Sequence, residues 1–183
     1  MYYAYLLVGF PGAGKSTFRK HLMRTHPLKN WVVVSADDYV DEQAKLLRKT
    51  YSEIFNEHRD ASHAHALNQF RLAIKTRRSV IIDNTNLTKA DRRKFMSEMP
   101  STYRTTCVIL REPNEDELKR RLSSRPGKTI PQDVLEAMRK KFEYPNKSEG
   151  FSEVYEWPQD EDPAIIARMR ELLAQKVPLL NTK

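Results

Sequence analysis

Nine residues near the start of the chain, "GFPGAGKST" from Gly9 to Thr17, restrict what it can fold into more than any other stretch. Gly9, four residues, then Gly14-Lys15-Ser16 is the spacing of a loop that turns its backbone N–H groups inward around phosphate oxygens. Gly9, Gly12 and Gly14 permit that turn where a side chain would collide. Such a loop needs a strand to deliver it and a helix to follow it, because the helix points its positive end at the anion. Both flanks fit. Residues 3–8 are an apolar, aromatic-rich run, and residues 15–24 read as a helix. Lys15 is placed to reach the β- and γ-phosphates of a nucleoside triphosphate, and the Ser16 hydroxyl to bind Mg²⁺. Pro11, Ala13 and Thr17 complete the expected nucleotide contacts.

The remaining chain alternates in the same manner. Further strands are expected at 31–35, 80–83 and 105–110, with a weaker fifth at 153–156. Their nearly continuous apolar character is that of strands buried on both faces. Helices are expected between them: 38–57 and 61–75 as a long insertion, 89–98 capped by Thr88, 114–122 after Pro113, and one opened by Pro131. In the last of these, Val134, Met138 and Phe142 are expected to share a face. A final helix is expected near Pro163, burying Ile165, Ile166, Met169, Leu172 and Leu173. Strands alternating with helices imply a parallel sheet covered on both sides, with ligands beyond the carboxyl ends of the strands. The 183 residues fit one domain.

Composition narrows the class. No apolar run is long enough to span a bilayer, and "MYYAYLLVGF" reads as the first strand rather than as a leader peptide. The single cysteine, Cys107, excludes an intrachain disulfide; it reads as a small buried hydrophobe in a reducing cytosol. The formal charge of +8 favours polyanionic partners.

Two acidic strand ends face the loop. Asp37 and Asp38 follow the second strand, and adjacent residues point apart, so only one of them should face the site to receive a hydroxyl proton; the alternative is that both cap the next helix. Asp83 ends the third strand, a position suited to organising Mg²⁺, and Thr85 and Asn86 follow it among other donors and acceptors. Downstream, "DELKRRLSSRPGKTIP" gathers Lys119, Arg120, Arg121, Arg125 and Lys128. Arginines on a mobile lid over residues 118–130 would neutralise charge on a transferring phosphoryl group, and Arg121 and Arg125, four apart, can share a face. In the helical insertion, His65, Asn68 and Gln69 share a face, whereas His63 reads as solvated.

These motifs together, "GFPGAGKSTF", "DDY", Ala64-His65, Asn68-Gln69, Arg71, "IIDNTN" and "KFEYPNKSEGF", resemble the polynucleotide 5′-hydroxyl kinases, the kinase module of phage and animal nucleic-acid end-repair enzymes. The resemblance spans roughly residues 5–154. It implies a P-loop NTPase fold, an α/β three-layer sandwich of parallel sheet and helices with a helical lid. It implies ATP and Mg²⁺ as cofactors and a DNA or RNA 5′-hydroxyl end as acceptor. Separate end-repair proteins would be partners, and the location would be cytoplasmic, the host's if phage-encoded. Asp37 would be the general base, with Lys15, Arg121 and Arg125 as catalytic cations and Ser16 and Asp83 at the metal. Asp38, Tyr39, His65, Arg71, Thr85 and Asn86 would complete the acceptor pocket. One position departs: phage members carry arginine after "DDY", and here it is Val40, leaving Arg71 or Arg48 to replace it, or a different acceptor. A small-metabolite kinase and a non-catalytic, ATP-gated nucleic-acid-binding module are the alternatives.

Overall fold

A computed structural model describes residues 1–157; the helix expected near Pro163 lies outside them. Five parallel strands form one sheet in the order β2-β3-β1-β4-β5. The strands are β1 (Tyr2–Val8), β2 (Val32–Val34), β3 (Val80–Asp83), β4 (Tyr103–Leu110) and β5 (Glu153–Trp157). The helices are α1 (Lys15–Thr25), α2 (Ala36–Leu47), α3 (Tyr51–Lys75), α4 (Lys89–Met96), α5 (Glu115–Ser123) and α6 (Gln132–Lys141).

The continuous apolar strands are explained by burial on both faces. Alternate residues of β1 serve different cores. Ala4, Leu6 and Val8 pack with Val34, Val80, Ile82, Ala66, Phe70 and Phe95, joining the sheet to α3 and α4. Tyr3, Tyr5 and Leu7 pack with Phe18, Leu22, Trp31, Ile81 and Val108, joining it to α1. The result is the expected three-layer α/β sandwich. Cys107 is fully buried in the first core, and burial pushes its thiol up to about 12, so it behaves as a small apolar side chain. Among the described residues, no helix is long and apolar enough to cross a membrane.

Local chemistry moved several boundaries. The insertion is broken at residues 48–50 rather than near 57–61. Arg48 adopts a left-handed conformation (φ 53°) at the end of α2, and Thr50 opens α3 with a capping box to Glu53. From there α3 runs unbroken for 25 residues. Trp31 falls outside β2, and its indole N–H donates to the His26 carbonyl. Thr88 caps α4 as expected, in a reciprocal box with Asp91. In α6 the buried residue is Leu135; Val134 and Met138 line a cleft, and Phe142 ends the helix in an extended conformation. Val134 and Met138 thus share a face as expected, the one on the cleft, whereas Phe142 leaves it because the helix ends there.

Candidate active site

A cleft of about 1830 Å³ opens beyond the carboxyl ends of the strands. It is larger than one small ligand requires, which is about 300–1,000 Å³. One wall is the loop joining β1 to α1. Gly12 and Gly14 hold positive φ (82° and 91°). Gly9 lies so close to the end of β4 that a Cβ would sit 2.7 Å from the Leu110 carbonyl oxygen. The Gly9 N–H donates to Thr85, and Asn86 donates its side-chain N–H to the Leu7 carbonyl. The Asn84 side chain accepts from the Ala36 N–H. Thus "NTN" ties β1, β3 and α2 together at the site. Thr85 lines the cleft, whereas Asn86 is buried and structural.

Lys15 folds its ammonium back onto the carbonyls of Gly9 and Phe10, at 2.8 and 2.9 Å. Burial lowers its pKa to about 8, against the opposing pull of Asp83 and Asp37. Pro11, Gly12, Ala13, Gly14, Ser16 and Thr17 line the same wall.

The expectation that only one of the acid pair faces the site is overturned. Ser35 caps α2 by accepting from the Asp38 N–H, so the cap is the serine and both carboxylates face the cleft. Asp38 accepts from Arg19 at 2.8 Å, and the same guanidinium nitrogen lies 3.1 Å from Asp83. Arg19 thereby joins two acids that the sequence reading treated separately. Burial raises the Asp83 carboxyl, and Arg19 and Lys15 only partly oppose it. Asp37 accepts from the Tyr51 hydroxyl at 2.7 Å and from the Lys128 ammonium at 2.6 Å. Burial pushes its carboxyl up, but Lys128 and Tyr51 more than offset this and hold it below the usual range.

The segment expected to form a lid borders the opposite side. Arg121 donates to Glu117 and to the Gly12 carbonyl (3.1 Å), and Arg125 lines the cleft half-buried. Arg120, expected to point elsewhere, also lines the cleft: its side chain is exposed and pairs with the same Glu117. Beyond Asp37 the cleft continues along α3, past Phe55, Asn56, Arg59 and His63, to Lys94 of α4.

Some expected acceptor contacts lie elsewhere. His65 stacks near Tyr39 (4.8 Å between rings), and neither borders the cleft; His63 does. The helix phase explains the exchange, because residues two apart face different sides. Arg71 makes a bidentate surface pair with Glu98, away from the cleft. Val40 is fully buried with Ala44 and Ile54, so that position faces a core. Arg48 is an exposed helix end that does not border the cleft. The cation beside Asp37 is instead Lys128. Sequence reasoning missed Arg19, Tyr51 and the partnership of Lys128. Only Arg19 carried a usable signal, four residues after Lys15 on the same helix.

Among the described residues, no group of three or more histidine, cysteine or carboxylate side chains could hold a metal. Mg²⁺ at a phosphate site takes one or two hard oxygens from protein and the rest from phosphate and water. Ser16 and Asp83, oxygen donors on the same cleft, fit that pattern.

Residues 5–145 match a protein family described as an AAA domain. Human heterogeneous nuclear ribonucleoprotein U-like protein 2 is 25% identical over 182 residues, 94% of this chain and 24% of that protein. L-seryl-tRNA(Sec) kinase of Methanococcus maripaludis is 29% identical over 144 residues, 76% of this chain and 52% of that one. The chain thus spans about a quarter to a half of the length of these curated relatives. Among solved structures, a chain of the Pnkp1/Rnl/Hen1 RNA repair complex superposes with a TM-score of 0.58 and 25% identity, covering 78% of this chain and 47% of that one.

Proposed function

Because the chain belongs to this AAA domain family and has a P-loop kinase fold, we propose that it is an ATP-dependent kinase of nucleic-acid 5′-hydroxyl ends. The observation that carries the reading is the shared cleft. The phosphate loop lies on one side, a carboxylate gripped by two donors stands at Asp37, and a polar arm runs past Arg59, its ion-pair partner Asp60, His63 and Lys94. The RNA repair complex among its structural relatives supports a nucleic-acid acceptor, as does the charge of +8.

In this reading the loop N–H groups and Lys15 hold the β- and γ-phosphates of ATP. Lys15 exchanges its two carbonyl partners for phosphate oxygens. Asp37 receives the proton of the acceptor hydroxyl as that oxygen attacks the γ-phosphorus and the bond to the β-phosphate bridging oxygen breaks. Arg121 and Arg125 stabilise the charge spread over the transferring group. Ser16 and Asp83 would hold Mg²⁺, which would neutralise charge on the phosphates. Arg59, His63 and Lys94 receive the acceptor backbone.

A second reading has a specific finding behind it. The seryl-tRNA kinase relative makes a hydroxyl on a charged tRNA an acceptor of a different kind. One assay separates the two. The protein is incubated with Mg²⁺ and γ-labelled ATP, together with DNA and RNA oligonucleotides bearing 5′-hydroxyl or 5′-phosphate ends, seryl-tRNA, or nucleosides. The expected result is label on 5′-hydroxyl ends alone, lost in Asp37→Ala. Label on seryl-tRNA or a nucleoside but on no oligonucleotide end would overturn the 5′-end reading.

A further inference from the structure

Lys128 is a lysine whose side chain is only 8% exposed. Burying an ammonium is costly unless it is paired, and this one has two partners. It lies 2.6 Å from one carboxylate oxygen of Asp37 and 3.6 Å from the centre of the Tyr51 ring. The Tyr51 hydroxyl donates to the other oxygen of Asp37. A lysine from one segment and a tyrosine from α3 therefore hold both oxygens of one carboxylate.

The backbone on either side of Lys128 is fixed to the start of α3. The Ser52 N–H donates to the Gly127 carbonyl at 3.0 Å, and the Thr129 N–H donates to the Ser52 hydroxyl at 2.9 Å. The same segment carries Arg121, bonded to the phosphate loop at Gly12, and Arg125 on the cleft. One stretch of chain thus touches both the phosphate loop and the acid.

We propose that Lys128 is a positioning residue for phosphoryl transfer: docking of its segment on α3 sets the orientation of the Asp37 carboxylate and supplies the counter-charge beside it. The proposal rests on the reading of Asp37 as the base. The groups facing Asp37 are Lys128 and, from the same segment, Arg125; Tyr51 from α3; Lys15 from the phosphate loop; Asp83 from β3; and Asp38 and Asp41 from its own helix. Without Lys128, Lys15 and Arg125 would be set against burial and three carboxylates. The Asp37 proton would then be lost only at a higher pH, so as pH falls a base that works only when ionised would begin to fail sooner, on the acid side.

The test uses the full chain with Lys128→Met and Lys128→Arg, and Lys128→Gln should the methionine variant fail to fold. The first readout is the ¹³C carboxyl titration of Asp37, assigned with Asp37→Asn, which needs no acceptor. The second is the pH–rate profile of γ-phosphate transfer to a 5′-hydroxyl oligonucleotide. In the uncharged variants the Asp37 midpoint should rise by about one pH unit or more, and the acid limb of kcat should follow it. At neutral pH, where Asp37 stays ionised, loss of its orientation should lower kcat about tenfold with KM for ATP nearly unchanged, and the loss should deepen on the acid side. Lys128→Arg should restore the midpoint and most of the rate. An Asp37 midpoint that stays in place in a folded uncharged variant overturns the proposal. So does a rate loss uniform across pH. If the midpoint moves but no oligonucleotide is labelled, the link between Lys128 and Asp37 stands and the 5′-end reading falls.

Discussion

Lys15 spends the ligand-free state bonded to two carbonyls of its own loop, with burial holding its pKa near 8. Nucleotide phosphates favour the ammonium form. Below pH 8 the lysine is already charged when ATP arrives; above it, binding must draw in a proton. The dissociation constant for ATP is therefore expected to be flat below about pH 7 and to rise by up to about tenfold per pH unit above 8. Calorimetry in buffers of different ionisation enthalpy would register the proton uptake, and a flat profile to pH 9.5 would refute it. At this scale the glycines, Lys15 and Ser16 were legible because their chemistry is contained in one short spacing. Tyr51 and Lys128 were not. They reach Asp37 across 14 and 91 residues of chain, and only the folded sheet and helices bring them there.

Single charged residues also fix how whole elements meet. Arg92 of α4 is fully buried. Its guanidinium donates bidentately to Glu149 (2.6 and 2.9 Å) and to the carbonyls of Asn86, Leu87 and Glu143. It ties α4 both to the turn after β3 and to the segment leading into β5. Arg92→Met should leave a buried carboxylate and several carbonyls without donors and cost about 3–5 kcal/mol in urea unfolding. The exposed Arg71–Glu98 pair, by contrast, should be lost with little measurable change in the same experiment. At Gly127, φ is +70° and a Cβ would stand 2.9 Å from the Thr50 Cβ. Gly127→Ala should therefore undock the segment that carries Lys128. We expect about a tenfold loss of kcat with a nearly unchanged thermal midpoint, separating docking from global stability. The central strands β1, β3 and β4 were legible because both of their faces are buried, so apolar runs mark them; the edge strand β5, half-buried along its length, gave the weaker signal. The break before α3 was encoded in Thr50 and Glu53, a capping box within otherwise helical sequence. The phase of α3 was not legible. Ile54, Ala66, Phe70 and Ala73 fix it by packing inward, and that put His63 rather than His65 on the cleft.

For the molecule entire, charge sets the outcome of association. With a net +8 and a cleft arm bearing Arg59 and Lys94, oligonucleotide affinity should fall linearly on a log–log plot against salt, while ATP affinity falls less steeply. Fluorescence anisotropy across a salt series would measure this, and equal slopes for the two ligands would contradict it. The alternation of strands and helices was enough to indicate a parallel sheet. The lateral order of strands was not readable, because it depends on which long-range pairs form. The position of β1 has a consequence for how the protein is made. Ala4 pairs with Val80 and Tyr2 with Tyr103, so β1 leaves the ribosome with neither neighbour until residues 80–83 and 103–110 have followed it. Parallel pairing across such separations is slow, and an apolar strand left waiting is a chaperone substrate. The phosphate loop is synthesised well before its partners, since its bond from Gly9 to Thr85 and its packing against Leu110 must await β3 and β4. A nascent chain arrested before residue 110 should therefore fail to retain ATP although its whole binding loop is already exposed.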